Sequence, residues 1–390
     1  MESTGDSCPN PIAKDIRMDK NTLLSSFGKW VEPINFKKLE KHVSDLKQDY
    51  YTKKLTTKSL LLLLLHAHLN EKESLRAISD SVIEDELQEA VGLDSISASQ
   101  LSRKNQEVNP SIFANLFLEL VQKIQGNKQH RKVSMPLKII DSSTIPLNLT
   151  NYKWATFRKT KAGIKLHLRL VFVDKDMTYP EKVTITPADV HDHEQLEVLV
   201  DEKEAMYVFD RGYMDYEMFD SFFDDGIFFA SRLKKNSVVR TLEHFTIPED
   251  SSVTSDAMVV IGSTQKRTEN VFRLVETVDS QGKEIRIITN RFDLSANEIS
   301  DIYRSRWAIE LFFKWLKQHV RIKTFYGTSE NAVQNQIFAA LIAYCLLVLV
   351  RMETEAKQSL LQLRRWLQAL LWKPYTKWFR RIQWRNRGST

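Results

Sequence analysis

The stretch Ile164-Lys-Leu-His-Leu-Arg-Leu-Val-Phe-Val173 begins by alternating apolar and polar side chains, the two-residue period of a strand with one buried face. Three shorter segments of strand texture lie nearby: Leu137 to Ile145, Lys182 to Thr186, and Met206 to Phe209. A helical stretch from about His193 to Lys203 precedes the last of these, and another from Tyr216 to Phe223 follows it. Residues 227–290 are rich in Val, Ile, Phe and Thr, with turn residues at Pro248 to Ser252 and Asp279 to Gly282. That texture predicts several short antiparallel strands.

The flanks have a different period. From Leu23 to about Ile124 apolar residues fall at helical spacing, including the run Leu60 to Leu65 and the set Leu75, Ile78, Val82 and Ile83. Gly92 interrupts the pattern before Ser95 to Lys104, where a serine can cap a new helix. A helix-turn-helix and a plain helical bundle both fit this segment. Residues 127–132 form a basic link to the strand region. Beyond 290, Ser295 or Asn297 can cap a long helix over about 298–320. The apolar run Ile337 to Val350 then reads as a buried core helix, too short to span a bilayer.

The bulk properties narrow the classes. Cys8 and Cys345 are too few for a disulfide framework or a Cys-rich zinc site. The first 30 residues mix Asp, Lys, Pro and Ser without an apolar core, so no signal peptide is expected. A soluble, cytoplasmic chain with no membrane partner follows as the expectation. The net charge of +6 favours a polyanionic partner only modestly, so its distribution matters. It concentrates at the carboxyl terminus. Lys373, Lys377, Arg380, Arg381, Arg385 and Arg387 interleave with Tyr375, Trp378, Phe379 and Trp384, and no acid intervenes. Phosphate contact with stacking suits this pattern, and a membrane-surface helix competes with it. Arg232, Lys234 and Lys235 follow a predicted strand, where they can track a nucleic-acid backbone or form a solvated turn.

Carboxylates supply the chemistry. Tyr303, Arg306, Glu310 and Lys317 lie at offsets 0, 3, 7 and 14. On one continuous helix they share a sector of roughly 60°. That face can be a solvated one with an Arg306–Glu310 pair. Asp141 follows Leu137-Lys-Ile-Ile140, and Asp210 ends Met206-Tyr-Val-Phe209. An acid at the end of an apolar strand is costly unless it sits at an edge or binds something. Three carboxylates on two strands and a helix suit two hard divalent cations, Mg²⁺ or Mn²⁺, that act on a phosphodiester. By contrast, His191-Asp-His193 fits a polar loop and helix start better than a metal pair, and His66 and His68 fit packing positions.

The run Asp301-Ile-Tyr-Arg-Ser-Arg-Trp-Ala-Ile-Glu-Leu-Phe-Phe-Lys-Trp-Leu-Lys317 resembles the Tyr-x2-Arg-x3-Glu-x6-Lys motif of insertion-sequence DDE transposases of the family-four type. Ile140-Asp-Ser-Ser-Thr144 is similar to that family's first acid motif, and Phe209-Asp-Arg-Gly-Tyr213 to its second. The resemblance spans about residues 135–350. It implies an α/β fold with a ribonuclease H-like catalytic core over 131–226 and 291–350, interrupted by a β-strand-rich insertion at 227–290. An all-helical DNA-binding domain would occupy 1–130 and a basic helical segment 351–390.

The resemblance further implies that Asp141, Asp210 and Glu310 hold two metal ions. Tyr303, Arg306 and Lys317 would hold phosphates at the cut end. Some members of that family hold a flipped-out base on an aromatic residue of the insertion, often Trp. This chain has no Trp between Trp154 and Trp307, which leaves Trp307, or Phe228, Phe229, Phe245 or Phe272, to stack on a base. The implied partners are terminal inverted repeats and target DNA, bound by a homodimer on paired ends in the nucleoid. A domesticated DNA-binding regulator without catalysis, and a nuclease of the same fold without strand transfer, are the alternatives.

Overall fold

The computed structural model describes residues 24–127, 135–247, 251–279, 281–319 and 325–387. Cys8, the amino-terminal tail, residues 128–132 of the basic link, the turn at 248–250 and the side chains of Arg385 and Arg387 lie outside the described residues.

The amino-terminal region is helical, as its periodicity predicts. Helices α1 (Ser26–Val31), α2 (Phe36–Asp45), α3 (Thr57–Leu69), α4 (Leu75–Ser81), α5 (Asp85–Val91), α6 (Ala98–Glu107) and α7 (Ser111–Gln125) follow one another. Their starts are set by short polar side chains. Thr56 accepts from the Ser59 amide and Ser74 from the Ala77 amide. Ser97 and Gln100 form a reciprocal capping box at the start of α6. Gly92 ends α5 in the left-handed conformation, with φ of 67°, where a side chain would be strained.

All six leucines of the run Leu60 to Leu65 are buried on α3. A helix apolar on every side needs neighbours all round, and here they come from distant sequence. Helix α12 (Glu330–Glu353) packs on α1, α3, α6 and α7, and carries the predicted apolar run with Cys345 buried in it. It is long and apolar enough to cross a membrane, but 89% of its most apolar window is buried within the fold. The terminal helices α13 (Leu360–Ala369) and α14 (Tyr375–Arg387) return to the first one. The Ser26 amide donates to the Lys373 carbonyl and the Phe27 amide to the Leu371 carbonyl, both at 2.9 Å. Trp378 is fully buried, so the carboxyl-terminal segment is part of the same helical body and not an appended tail.

The middle of the chain forms one large sheet. Strands β1 (Leu137–Leu147), β3 (Lys161–Asp174) and β4 (Met177–Pro187) pair antiparallel, with the short β2 (Thr156–Arg158) also on β3 at the sheet's edge. β5 (Met206–Phe209) joins β1 in parallel, and β6 (Phe228–Arg232) joins β5 in parallel. The predicted antiparallel strands then continue the sheet: β7 (Val239–His244), β8 (Val253–Ser263), β10 (Phe272–Val278) and β11 (Glu284–Thr289), with a two-residue β9 (Lys266–Arg267). β6 belongs both to the parallel run and to this extension, because its other edge holds β11.

The helical stretch expected over 193–203 is shorter. A 3-10 turn at Asp192–Gln195 leads into α8 (Leu196–Leu199), and the chain then leaves the helix. Ion pairs account for this: Glu202 meets Lys138 at 2.5 Å and Arg169 at 3.0 Å, Asp201 meets Lys182 at 2.6 Å, and Asp201 also pairs with Arg169. Lys138 and Arg169 are buried and need these anions, so the acids are drawn onto the sheet.

Candidate active site

The register of β1 and β5 places two acids side by side. Ile140 pairs with Phe209 in the parallel ladder, and the next residue on each strand is Asp141 and Asp210. Ile139, on the same face as Asp141, packs in the core shared with the helices, whereas Ile140 packs on the opposite face beneath α9 (Tyr216–Asp224). Asp141 therefore projects from the helix-covered side.

The single helix predicted to carry the third acid is two helices in the structure. α10 (Ala296–Arg304) starts at Ser295, which forms a capping box with Glu298, and α11 (Trp307–His319) bears Glu310. They are separated at Ser305–Arg306. The Ser305 hydroxyl donates to the Ile302 carbonyl at 2.5 Å, and the Ala308 and Ile309 amides bond three residues back, to Ser305 and Arg306. A side chain that competes for a backbone carbonyl and a tightened turn redirect the axis. The four motif residues are still brought together. Tyr303, on α10, donates its hydroxyl to Asp210 Oδ1 at 3.3 Å. Arg306, at the junction, places Nη2 2.5 Å from Glu310 Oε1 and Nη1 3.5 Å from Asp141 Oδ2. Lys317 lines a cleft of about 410 Å³ with Asp141, Ser142, Glu310 and Lys314.

Charge crowding shows in the titration. Burial pushes the Asp141 carboxyl up to about 6; the charges of Asp210 and Asp192 act in the same direction, against the Ser142 amide and Arg306. Burial also raises the Tyr303 hydroxyl, helped by the Asp210 charge.

Asp192 belongs to this neighbourhood although its His-Asp-His setting suggested only a loop. Its Oδ1 accepts from the Ser142 hydroxyl at 2.8 Å, and Lys165 Nζ lies 3.3 Å away. The buried His167 ring is 3.7 Å from the same oxygen and meets the Thr186 hydroxyl at 3.0 Å through Nε2. A Cβ on Gly212 would lie 3.2 Å from Asp192 Oδ2, so the absence of a side chain there lets this carboxylate approach the end of β5. Lys314 is a second residue missed by motif spacing. It sits four residues after Glu310, on the same helix face, and that spacing was the available signal.

Other sequence candidates fall into separate groups. Trp307 is 58% exposed and lines a cavity of about 780 Å³ with Tyr303, Arg306 and Arg232. Phe229 and Phe272 are fully buried in the core under α9, Phe228 packs against the Arg291 guanidinium, and Phe245 packs against Arg273. Lys234 lines a different, smaller cavity with Met214, Tyr216 and Lys266, and Lys235 is exposed beside it in sequence. Lys373, Lys377, Arg380 and Arg381 are exposed, Lys373 just before α14 and the others on it. His66 and His68 are buried on α3, consistent with packing roles.

The oxygen donors suit a hard divalent ion in kind. Asp141 and Asp210 share one locale, while Glu310 is engaged by Arg306. Among the described residues no three carboxylate, imidazole or thiol groups stand close enough to enclose one ion as the side chains lie.

The family described as Transposase DDE domain matches residues 133–346, more than half of the chain, and Domain of unknown function (DUF4372) matches residues 22–92. A transposase assigned to insertion sequence element IS5377 of Geobacillus stearothermophilus is 35% identical over 66% of this chain and 68% of its own length. The y4zB protein of Sinorhizobium fredii, also assigned as a transposase, is 32% identical over 61% of this chain and 67% of its own. The piggyBac transposase of a synaptic complex with hairpin DNA has a TM-score of 0.43 at 9% identity, over 95% of this chain and 81% of that one. The matched segment contains both acid-bearing strands and the Glu310 helix, and the chain belongs to the DDE transposase family of bacterial insertion sequences.

Proposed function

We propose that the chain cuts DNA at the ends of its element and joins the freed ends to target DNA by phosphoryl transfer at Asp141, Asp210 and Glu310. The reading includes a ribonuclease H-like core of the family-four type. The observation that carries it is the adjacency of Asp141 and Asp210 on parallel strands, with Glu310 tied to Asp141 through Arg306.

Two Mg²⁺ or Mn²⁺ ions, when bound, supply charge neutralisation for the attacking and leaving oxygens. The protein's own groups prepare that site. Asp141 and Asp210 present hard oxygens from a rigid sheet. Tyr303 holds Asp210 by its hydroxyl. Arg306 balances Asp141 and Glu310 until DNA enters, then turns its guanidinium to a phosphate and frees both acids. Lys314 and Lys317 neutralise phosphates beside the cut, since ammonium groups are repelled by metal cations and attracted to the backbone. Trp307, exposed beside Arg232, stacks on a base at the element end.

Farther out, Lys234, Lys235, Lys373, Lys377, Arg380 and Arg381 contact the duplex. The amino-terminal helices read the terminal repeat. The active assembly is a homodimer on paired ends, working on the nucleoid in the cytoplasm.

The test uses labelled element ends with Mg²⁺ and a denaturing gel. Asp141→Ala, Asp210→Ala and Glu310→Ala each lose cleavage and keep end binding. Cleavage that survives in all three overturns the assignment.

A further inference from the structure

From Ser142 to Val173 the chain contains Lys153, Arg158, Lys159, Lys161, Lys165 and Arg169, and no Asp or Glu. The fold divides these cations into two sets. Lys165 and Arg169 turn inward and are paired, Lys165 with Asp192 and Arg169 with Glu181, Asp201 and Glu202. Lys153, Arg158, Lys159 and Lys161 are exposed, and among the described residues none of them pairs with a carboxylate.

These four lie on and beside the β2–β3 hairpin. Thr156 pairs with Ala162 and Arg158 with Lys161, which leaves Lys159 and Thr160 at the turn. The hairpin is held in place. Tyr152 is buried, and Trp154 Nε1 donates to the Thr328 carbonyl at 2.7 Å, ahead of the core helix α12. β2 ends the strand order of the sheet, so the cations face outward from a fixed edge. Unpaired like charges held together on a rigid edge cost self-repulsion, which a polyanion would relieve.

We propose that this hairpin is a clamp for duplex-DNA phosphates. Its position fixes the register. β1 runs from Asp141 toward Leu147, which pairs with Ala162 at the base of the hairpin. Those six residues of strand span about 20 Å at ~3.3 Å per residue. A duplex rises ~3.4 Å per base pair along its axis. A duplex with its cut phosphate at Asp141, lying along β1, therefore meets the hairpin about six base pairs away. The register rests on the reading of Asp141 as the cut site; the clamp itself rests on the charge pattern.

The occupant is duplex backbone, whether the element end or the captured target, and binding experiments separate the two. Wild type and the variant Lys153→Gln/Arg158→Gln/Lys159→Gln/Lys161→Gln are titrated onto an end duplex and onto an unrelated duplex across a range of salt. Each phosphate contact contributes about 0.9 to the slope of log affinity against log salt. The clamp predicts that the variant's slope falls by about 2 to 4 and that its affinity near physiological salt falls at least tenfold, on one duplex or both. Loss on the end duplex assigns the hairpin to the end, and loss on the unrelated duplex alone assigns it to the target. An unchanged slope on both overturns the clamp and leaves an acidic protein surface or solvent as the occupant.

The smaller change Lys159→Ala/Lys161→Ala, confined to the turn and its flank, should lower the slope by about 2 and guards against misfolding of the fuller variant. Asp141→Ala keeps the wild-type slope while losing cleavage. If Asp141→Ala cuts normally, the cut-site reading and the six-base-pair register fall, while the binding data judge the clamp separately.

Discussion

Arg306 Nη2 lies 2.5 Å from Glu310 Oε1, and the same guanidinium reaches Asp141. One cation thus joins two acids from different elements, and its planar fork makes the link. Arg306→Lys places a point charge where a fork is needed. Single-turnover cleavage should fall about a hundredfold in Arg306→Lys and further in Arg306→Ala, on the scale of a lost transition-state charge contact. Wild-type rates in the Lys variant would show that a positive charge alone suffices.

The raised Asp141 carboxyl makes a claim about stability. Its pKa in the fold is about 6, above the ordinary 3.8, chiefly through burial. The folded state therefore binds this proton more tightly than the unfolded chain. That contribution is fully present below about pH 4 and is lost as pH rises through 6. Asp141→Asn removes the buried anion. In EDTA the variant should melt higher than wild type at pH 8, by about 3 kcal/mol of stability, and the difference should vanish below pH 4. Mg²⁺ should raise the wild-type melting point more than the variant's. A lower melting point for the variant at pH 8 in EDTA contradicts this account.

Asp192 accepts from the Ser142 hydroxyl next to Asp141, which puts it where it can position the site. Asp192→Ala should slow cleavage about tenfold with end affinity unchanged, in line with a lost charged hydrogen bond. Asp192→Asn keeps an acceptor for Ser142 and should recover part of the rate. Equal rates in Ala and Asn would assign the effect to charge alone. Normal cleavage in both would leave Asp192 without a role in the reaction.

Lys317 shares the acid-lined cleft and should act on DNA, not on the metals. Lys317→Ala is expected to weaken end binding or cleavage severalfold while Mn²⁺ affinity of the DNA-free protein stays the same, measured by calorimetry. Lys314→Ala should behave similarly but more mildly, because it is more exposed. Loss of Mn²⁺ affinity with normal DNA binding would reverse the assignment of this helix face.

Local pattern made much of this molecule legible. The alternation beginning at Ile164 and the run Met206 to Phe209 are strands because their side-chain period matches the pleat. Leu60 to Leu65 and Ile337 to Val350 are buried helices because such apolar surface has nowhere else to go. The acid motifs were visible as one acid within an apolar strand, one at the end of another, and the spacing around Glu310, all properties of adjacent residues.

The sequence by itself determined which elements form and which acids and cations accompany them. Only the tertiary structure decided their meetings. Ser305 divides the Glu310 helix from the Tyr303 helix, yet Tyr303 reaches Asp210 and Glu310 shares a cleft with Asp141, because sheet register and helix docking set where they point. Asp192, some fifty residues after Asp141, arrives beside it through the pairing of β1, β3 and β4, and Gly212 leaves the space it needs. The cations between Ser142 and Val173 were equally present in the sequence, but two are neutralised inside, and four lie exposed at an edge with no carboxylate partner among the described residues. Periodicity records which face of an element is buried. It does not record what faces it, because that partner is chosen by long-range packing.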